Sequence, residues 1–540
     1  MLLERPLPTK RDGLKTWLLQ DLACDLPAGI VVFLVALPLS LGVSLASGVP
    51  LISGIISGVI GGIIVALLSA SPVSVSGPAA GMTVIVLSAI EDLGSFETFL
   101  TAGFLAGILQ IALGLLRAGS LSSMFPNAVI RGMLFAIGLI LMMKQLPHAA
   151  GFGTDPIVDE TYSPETPGFI LDEILESISS ISVGPALVFL IAVLIVILWD
   201  QILKKRWRWG AYLPGPLLAM VWGIIFEFLS RGTAFDLSSH HLVTLPDLQN
   251  LEHFLLDLKT PDFHQILNPN VTTHAIQIAL LASIETLLCI EAMDRLTPLK
   301  HPTPRNRELI AQGAGNLLSA CVGGLPMTSV IVRSSTNINA GARTKKAAMI
   351  HGFLLLGSLL FLVPWINLIP EASLAAVLFV TGLRLTHPRV VIEMWRRGRD
   401  QFIPFFVTIL AILIDDLLKG VLIGTVVGVI FIIKSNFHSG ITLTQSQNNY
   451  LIRFRKDATF LNKIKLRELL GQIAPNSYVV IDGTRAEFID RDILDCISDF
   501  GDTAKANHIS VTLRNVLGVS GPLCKDCLED LAVEEGCQHN

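Results

Sequence analysis

Long apolar segments alternate with short polar connections from about residue 26 to residue 433. An apolar helix of about 20 residues is long enough to cross the hydrocarbon core of a bilayer. Fourteen apolar segments lie between polar or Gly/Pro breaks, at residues 26–47, 51–69, 77–90, 99–116, 128–146, 183–203, 214–229, 273–293, 309–322, 328–340, 347–366, 372–385, 402–414 and 421–433. A long polar connection after the seventh divides them into two sets. The pattern predicts an α-helical polytopic membrane protein with 14 spans in two halves of seven.

The basic residues of the connections lie on one side of this arrangement. They cluster in "KKRWR" (204–208), "DRLTPLKHPTPRNRE" (294–308), "RTKK" (343–346) and "HPRVVIEMWRRGR" (387–399), whereas the connections 91–97, 154–176 and 415–418 are acidic or bare. Lys and Arg concentrate in cytoplasmic loops. The distribution therefore predicts cytoplasmic N- and C-termini and a multi-pass protein of a bacterial-type inner membrane.

Composition supports the same class of protein. The chain is 51% hydrophobic and only 15% charged, with a mean hydropathy of +0.63, which is too apolar for a soluble enzyme. The spans contain no pairing of a nucleophile with a base, and no basic stripe with interleaved aromatics suggests a nucleic-acid partner. We expect a cytoplasmic N-terminal segment 1–24, a transmembrane domain 25–435 and a cytoplasmic domain 436–540.

Two similar stretches occupy the third segment of each half. "SGPAAGMTVIV" begins at Ser76 and "GGLPMTSVIV" at Gly323, and both lead from a glycine and a proline through Met-Thr into a β-branched apolar run. The segments they open have roughly 13 residues, about 20 Å of helix, which is shorter than a bilayer core of about 30 Å. With seven spans per half, the second half enters the membrane inverted, as in many secondary transporters. Either these are half-helices that begin within the membrane, or Gly-Pro merely kinks two ordinary spans.

Two inverted half-helices would point their N-termini at each other near the membrane midplane. Unpaired N–H groups and positive helix-dipole ends make such a place an anion site. Its candidate residues are those at the two breaks, one buried arginine and one serine of the first span: Gly77, Pro78, Ala79, Ala80, Thr83, Met327, Thr328, Ser329, Arg333 and Ser40. Small hydroxyl residues such as Ser40 also pack helices in lipid.

Two charged residues inside apolar segments are candidates for chemistry. Arg333 is costly within a membrane unless it is paired, so it is a functional candidate; the alternatives are snorkelling to the interface or an ion pair with Glu285. Glu285 lies in the middle of the eighth segment and could coordinate a cation or carry a proton. Its alternative role is a structural hydrogen bond at the broken helix. Cys289, one turn further, is expected to pack.

The stretch "NRELIAQGAGNLLSACVGGLPMTSVIVRSSTNINAGARTK" (306–345), together with "VSGPAAGMTVIV", resembles the SulP (sulfate permease) family of anion transporters. The resemblance covers nearly the whole chain. It implies 14 spans arranged as a core and a gate of inverted repeats, an anion held between the third and tenth helices, and a homodimer.

Within that family, "ALPLSLGVSLASG" (36–48) and "IETLLC" (284–289) resemble the branch that contains the cyanobacterial sodium-dependent bicarbonate transporter. The resemblance implies a sodium site whose Asp and Thr of the eighth helix are replaced here by Glu285 and Cys289. Its tenth-helix positions correspond to Ser329, Val330 and Ile331. The two replacements leave a modified sodium site and a proton site both open.

After residue 450 the hydrophobic pattern changes. "YLIRFRKDATF", "SYVVIDGTRA" and "ISVTLRNV" alternate or run apolar like strands, and "DRDILDCISDFGDTAKAN" has helical spacing. The segment resembles a small α/β STAS domain. Residues 490–493 are Asp-Arg-Asp-Ile where anti-sigma antagonists of that family carry a phosphorylatable serine, so the resemblance implies a regulatory or dimer-assembly role without serine phosphorylation.

The cysteines indicate no disulfide framework. Seven are scattered through the chain, and we expect them to be reduced. Near the C-terminus, Cys524, Cys527, Cys537 and His539 form a possible four-ligand zinc set, although the spacing of the second pair is atypical. The alternative is ordinary thiols.

These observations predict a secondary active transporter of a small inorganic oxyanion, with bicarbonate as the leading substrate and sodium or a proton as the coupling ion. The alternatives are a proton-coupled transporter of sulfate or a dicarboxylate, and an anion channel or sensor that signals through the STAS-like domain. The expected partners are the anion, membrane lipid and a second copy of the chain, and no resident cofactor is expected.

Overall fold

The computed structural model describes residues 21–120, 126–151, 182–199, 201, 213–233, 235–237, 239–246, 258–297, 302–415 and 417–516. The chain divides into two compact units, Met1–Thr425 and Val426–Asn540. The helix Leu417–Ser439 extends across residue 435, where the transmembrane domain was predicted to end. The domain limits inferred from the sequence stay predictions.

The first unit is built from helices. The bounds of its longer helices in the described residues are α1 Leu22–Ala46, α2 Leu51–Leu68, α3 Thr83–Leu93, α4 Phe96–Leu115, α5 Asn127–Ala150, α6 Val183–Leu198, α7 Gly215–Ser230, α8 Pro269–Leu296, α9 Arg305–Cys321, α10 Ile331–Asn339, α11 Lys346–Phe361, α12 Glu371–Leu385, α13 Arg399–Ile414 and α14 Leu417–Ser439, the last of which continues past Thr425. Two further short helices, Val363–Ile366 and Pro388–Arg396, follow α11 and α12. Within α2, Gly61–Val65 forms a π-helical turn. Two short extended segments, β1 Ser76–Pro78 and β2 Met327–Ser329, precede α3 and α10.

Membrane-spanning character is clear for much of this unit. Within the described ranges, six helices are long and apolar enough to cross a bilayer: α1, α2, α4, α5, α8 and the stretch Glu371–Arg396, which contains α12. Shorter apolar helices include α6, α7, α11 and part of α14. The protein is therefore a helical membrane protein, and the count of 14 spans stays a prediction.

The helices that follow the two breaks are short. α3 has 11 residues and α10 has 9, which gives lengths of about 16 Å and 14 Å at 1.5 Å per residue. This confirms the short segments expected from the sequence. The predicted helix starts, residues 77 and 328, are wrong by six and three residues, because the helices begin at Thr83 and Ile331. The backbone at Gly77-Pro78 and at Met327–Ser329 is instead extended.

Contacts between helices in one half of this unit have counterparts in the other half. For the following pairs, if seven is added to or subtracted from each helix number, the resulting pair is also in contact. α4 packs on α9 as α11 packs on α2, and α1 packs on α11 as α8 packs on α4. Likewise α5 packs on α13 as α12 packs on α6. This exchange of contacts agrees with two repeated halves, and the arrangement as inverted repeats of seven spans stays a prediction.

Connections predicted to share one side of the membrane lie together. Asp25 at the start of α1 accepts a hydrogen bond from the backbone N–H of Arg343 after α10 (2.8 Å), and Ser69 after α2 donates to Glu308 in α9 (2.6 Å). At the other ends of the helices, the contacts are Lys259 with Glu97 (2.7 Å) and His274 with Asp92 (3.2 Å). The alternation of connections thus agrees with these contacts, and the cytoplasmic identity of the first side stays a prediction.

The second unit is a small α/β domain. Its strands are β3 Ile441–Ser446, β4 Asn449–Phe454, β5 Tyr478–Asp482 and β6 Ser510–Arg514, and its helices are α15 Lys463–Leu470 and α16 Arg491–Ala506. The sheet order is β3-β4-β5-β6, with β3 antiparallel to β4 and the other pairs parallel. The three strands and the helix expected after residue 450 are confirmed. β3 lies before that point and was not expected, and the STAS assignment stays a prediction.

Candidate functional site

The two chain breaks pair with each other. β1 and β2 form an antiparallel ribbon in which Ser76 is opposite Ser329, Gly77 opposite Thr328 and Pro78 opposite Met327. Non-helical backbone at membrane depth needs hydrogen-bond partners for its N–H and C=O groups. Each break supplies hydrogen-bond partners to the backbone of the other. Because the strands run in opposite directions, α3 and α10 begin beyond opposite ends of the ribbon. This arrangement favours two half-helices over two kinked spans.

A buried polar stripe on α9 holds the ribbon in place. Its members lie four, four and three residues apart on one helix face: Glu308, Gln312, Asn316 and Ser319. Asn316 Oδ1 accepts a hydrogen bond from the backbone N–H of Met327 (2.6 Å), and its Nδ2 donates to the carbonyl of the same residue (3.1 Å). Gln312 Nε2 donates to Ser76 Oγ on the other strand (2.6 Å). Sequence reasoning missed this stripe, although amides at helical spacing within an apolar segment could have indicated it.

Arg333 lies in α10 and is fully buried, with 0% exposure. Its Nη2 donates to Ser40 Oγ of α1 (3.0 Å) and to the carbonyl of Pro78 in β1 (3.4 Å), whereas Nε and Nη1 have no hydrogen-bond partner among the described residues. The side chain therefore does not snorkel to an interface, and no described carboxylate forms an ion pair with it. A guanidinium buried with two free donors is a suitable partner for an anion.

Gly77 permits this position of the guanidinium. A β-carbon built on Gly77 would lie closer than 3.0 Å to Nη1 of Arg333. The structure thus brings Gly77, Pro78, Ser40 and Arg333 together, and their role in binding an anion stays a prediction. Ala79 and Met327 are buried among apolar side chains. Thr83 Oγ1 donates to the carbonyl of Ala80 (2.8 Å), so its hydroxyl hydrogen is already engaged at the start of α3.

Glu285 of α8 also lies against the first break, at Gly81, four residues after Gly77. A β-carbon on Gly81 would be 2.7 Å from Oε1 of Glu285, which places the carboxyl beside the 3₁₀ turn Ala80–Met82 that leads into α3. Its Oε2 is buried and has no hydrogen-bond partner in the part of the chain that the structure describes, and the side chain of Thr328 interacts with the carboxyl. A cation could bind at the free oxygen.

The other residues expected around a cation differ in whether they present a polar side chain to it. Ser329 Oγ donates to Cys289 Sγ (3.3 Å) and also contacts Ser74 Oγ, while the N–H of Ser329 donates to Thr286 Oγ1 (3.3 Å). Cys289 is fully buried, which agrees with a packing role. Val330 and Ile331 have apolar side chains, so they could supply only backbone groups. Sequence reasoning did not single out Thr286.

The possible zinc ligands Cys524, Cys527, Cys537 and His539 lie outside the described residues. Within the described part of the chain, no group of three or more His, Cys, Asp or Glu residues is arranged to hold a metal ion. The described cysteines, Cys24, Cys289, Cys321 and Cys496, are all free thiols.

Sequence comparison connects this site to known proteins. The model of the sulfate permease family matches residues 22–408. The putative sulfate transporter YvdB of Bacillus subtilis is 29% identical over 428 residues, which cover 78% of this chain and 75% of that protein. The bicarbonate transporter BicA of Picosynechococcus sp. is 26% identical over 504 residues, covering 90% of this chain and 84% of that protein.

Solved structures show the same relationship. The transmembrane domain of a cyanobacterial bicarbonate transporter, BicA, superposes with a TM-score of 0.60 at 26% identity, over 76% of this chain and 98% of that one. The overall structure of SLC26A9 has a TM-score of 0.73 at 15% identity, over 96% and 88% of the two chains, and shows the fold alone. The family and these relatives are transporters and not enzymes. The chain therefore belongs to the sulfate permease family and is a membrane-embedded anion transporter.

Proposed function

We propose that this protein is a secondary active transporter that carries bicarbonate across a bacterial-type inner membrane together with a sodium ion. The observation that supports anion binding most directly is Arg333, which is buried at the paired breaks and whose Nε and Nη1 find no hydrogen-bond partner in the described ranges. A bound oxyanion would compensate this charge and accept both hydrogen bonds. The anion would lie between the starts of α3 and α10, where the helix dipoles add positive potential.

Glu285 is the proposed cation ligand. Its carboxyl lies at the break that also carries the Arg333 contact, and its Oε2 has no protein partner among the described residues. Carboxylate, hydroxyl and carbonyl oxygens suit hard cations, whereas the thiol of Cys289 does not. A proton on Glu285 is the alternative to sodium. In either case the cation and the anion would bind at positions four residues apart in one short backbone segment, Gly77 and Gly81, which would link the two ions.

Sulfate is the second candidate substrate, and a dicarboxylate is the third. The name of the Bacillus subtilis relative, a putative sulfate transporter, favours sulfate, and the names of the cyanobacterial relatives favour bicarbonate. We further propose cytoplasmic termini, because the basic connections share one side, and a homodimer, as the resemblance to the family implies.

The test is uptake of labelled bicarbonate and of labelled sulfate into proteoliposomes with and without an inward sodium gradient. We expect sodium-stimulated bicarbonate uptake in the wild type. Arg333→Ala should lose uptake of any anion, and Glu285→Gln should lose the sodium stimulation. Wild-type uptake by Arg333→Ala would contradict the assigned anion site, and sulfate uptake driven by a proton gradient would replace both the substrate and the coupling ion.

A further inference from the structure

A second ionisable side chain is buried near the anion site and has no role in the function proposed above. His351 lies on α11 with 0% exposure; its ring interacts with the backbone of Ala348, one turn earlier, and neither Nδ1 nor Nε2 makes a hydrogen bond of normal geometry among the described residues. A buried imidazole normally pairs at least one ring nitrogen, because an unpaired polar group costs roughly 1–3 kcal/mol. The backbone of Ala348 can satisfy one ring nitrogen at most, so at least one nitrogen of this buried ring is left for a further partner.

Glycines of α2 bring this ring close to Arg333. Gly58 and Gly62 are one turn apart on α2, and Gly62 belongs to the π-helical turn, a feature frequent at functional sites. A β-carbon on Gly58 would be 4.0 Å from Nη1 of Arg333, and one on Gly62 would be 3.0 Å from Nδ1 of His351. Positions one turn apart on a helix are separated by about 5–6 Å. Nη1 of the arginine and Nδ1 of the histidine thus lie against neighbouring turns of the same helix face.

Few other charges face His351. The described residues of α2 and its π-helical turn include no ionisable side chain. The ionisable groups of α1 are Cys24 and Asp25 at its start, where Asp25 accepts hydrogen bonds from the backbone N–H groups of Arg343 and Thr344. On α11 itself, Lys346 lies at the first position, five residues before His351. Arg333 is the charge with which His351 interacts electrostatically.

We propose that His351 is a proton-binding residue of the anion site, which takes up a proton from water when a small oxyanion binds beside Arg333. The proposal rests on the proposed function and adds a second cationic group to it. Without an anion, an imidazolium here would be unpaired and would repel the guanidinium, so the ring stays neutral. With an anion present, the protonated ring gains a counter-charge and can donate from a nitrogen that is otherwise unpaired.

Proton and anion binding are then coupled. By reciprocity, if a bound anion favours the proton on His351, the proton favours the anion by the same factor. Acid should therefore tighten anion binding, and each anion that binds should bring up to one proton with it. The proton is released to water when the anion leaves, because no covalent bond is made or broken at the ring. Glu285 has its own proposed role as the cation ligand, and its carboxyl lies against Gly81, four residues after the glycine that faces Arg333.

The test uses the purified full-length protein and two probes, sulfate and bicarbonate, at pH 7.5. Calorimetric titrations in two buffers of different ionisation enthalpy give the number of protons taken up for each anion bound. We expect proton uptake by the wild type. His351→Gln should take up none and should bind the anion about fivefold or more weakly. His274→Gln is the matched control, because His274 is also buried but lies against Asp92.

The possible failures are distinct. If the wild type binds an anion without taking up protons, or if His351→Gln takes up as many as the wild type, the role of His351 is wrong and the proposed transport function stands. If neither probe binds to the wild type and neither is transported, the proposed function fails and this inference fails with it. Should His351→Gln not fold, the wild-type measurement and the smaller change His351→Asn decide the question.

Discussion

The α-carbon of Gly77 faces the guanidinium of Arg333 so closely that no β-carbon fits between them without displacing Nη1. The two residues come from opposite halves of the chain and meet where the breaks pair as a ribbon. A backbone position without a side chain thus allows a buried cation to lie directly against the extended segment that precedes α3. The anion site therefore depends on a glycine as much as on the arginine.

Gly77→Ala should lower the rate of anion uptake by about tenfold or more, because displacement of a binding group by about 1 Å is costly. The measurement is the initial rate of uptake into proteoliposomes, normalised to the inserted protein. Gly357→Ala in α11 is the control, since a β-carbon there meets nothing within 4 Å. Equal rates for the two variants would contradict the contact between Gly77 and Arg333 as a determinant of transport.

Gly81→Ala should act on the cation instead. The added methyl group would lie 2.7 Å from Oε1 of Glu285 and would displace the carboxyl. We expect the sodium concentration for half-maximal uptake to rise by about tenfold, with a smaller change in the apparent affinity for the anion. Gly103→Ala, whose β-carbon would make an ordinary 3.5 Å contact with Ala320, should leave both values unchanged. An effect of Gly81→Ala on the anion alone would argue against Glu285 as the cation ligand.

Asn316→Ala should destabilise the membrane unit. It removes both hydrogen bonds to the backbone of Met327 and leaves a buried N–H and a buried carbonyl without these partners. The expected loss is about 2–4 kcal/mol of unfolding free energy, measured as a lower thermal midpoint in detergent. Asn339→Ala, at the exposed end of α10, is the control and should leave the midpoint unchanged. A midpoint of Asn316→Ala like that of the wild type would mean that the ribbon does not depend on α9.

Asp482 should stabilise the second unit in a pH-dependent way. Hydrogen bonds from Thr484 and the contact with Arg453 lower the pKa of Asp482 to about 2. Because the folded-state pKa lies below the ordinary value of about 3.9, the stabilisation is present above pH 4 and is lost as the pH falls towards 2. Arg453 is 41% exposed, so solvent weakens its share.

Hydrogen exchange of peptides that cover β5 in the full-length protein measures this effect. At pH 7, Asp482→Asn should exchange faster than the wild type by about tenfold, and the difference should shrink below pH 4. The exposed Asp495→Asn in α16 is the control and should exchange like the wild type at each pH. A difference between Asp482→Asn and the wild type that is the same at pH 7 and pH 3 would contradict the assigned ionic role.

Much of the candidate site could be predicted because its signals are local. A nearby glycine and proline disfavour a continuous helix, and a segment of about 13 residues cannot cross a bilayer core alone, so the breaks and their short helices were predicted from residue type and length. Arg333 and Glu285 were identified since a charge inside an apolar segment is costly wherever the segment packs. The helix starts were missed by several residues because pairing between the two breaks, which spacing does not indicate, keeps residues 76–78 and 327–329 extended.

The sequence by itself determined that this is a polytopic membrane protein with two interrupted segments, a buried arginine and a separate α/β unit, because hydrophobic length, breakers and charge act along the chain. Only the tertiary structure decided which groups meet. Arg333 donates to the carbonyl of Pro78, 255 positions away in the sequence. Asn316 of α9 makes hydrogen bonds to the backbone N–H and carbonyl of Met327. His351 reaches the same region through glycines of α2. Contacts of this kind depend on how closely helices from the two halves approach, and that distance is set by packing in three dimensions.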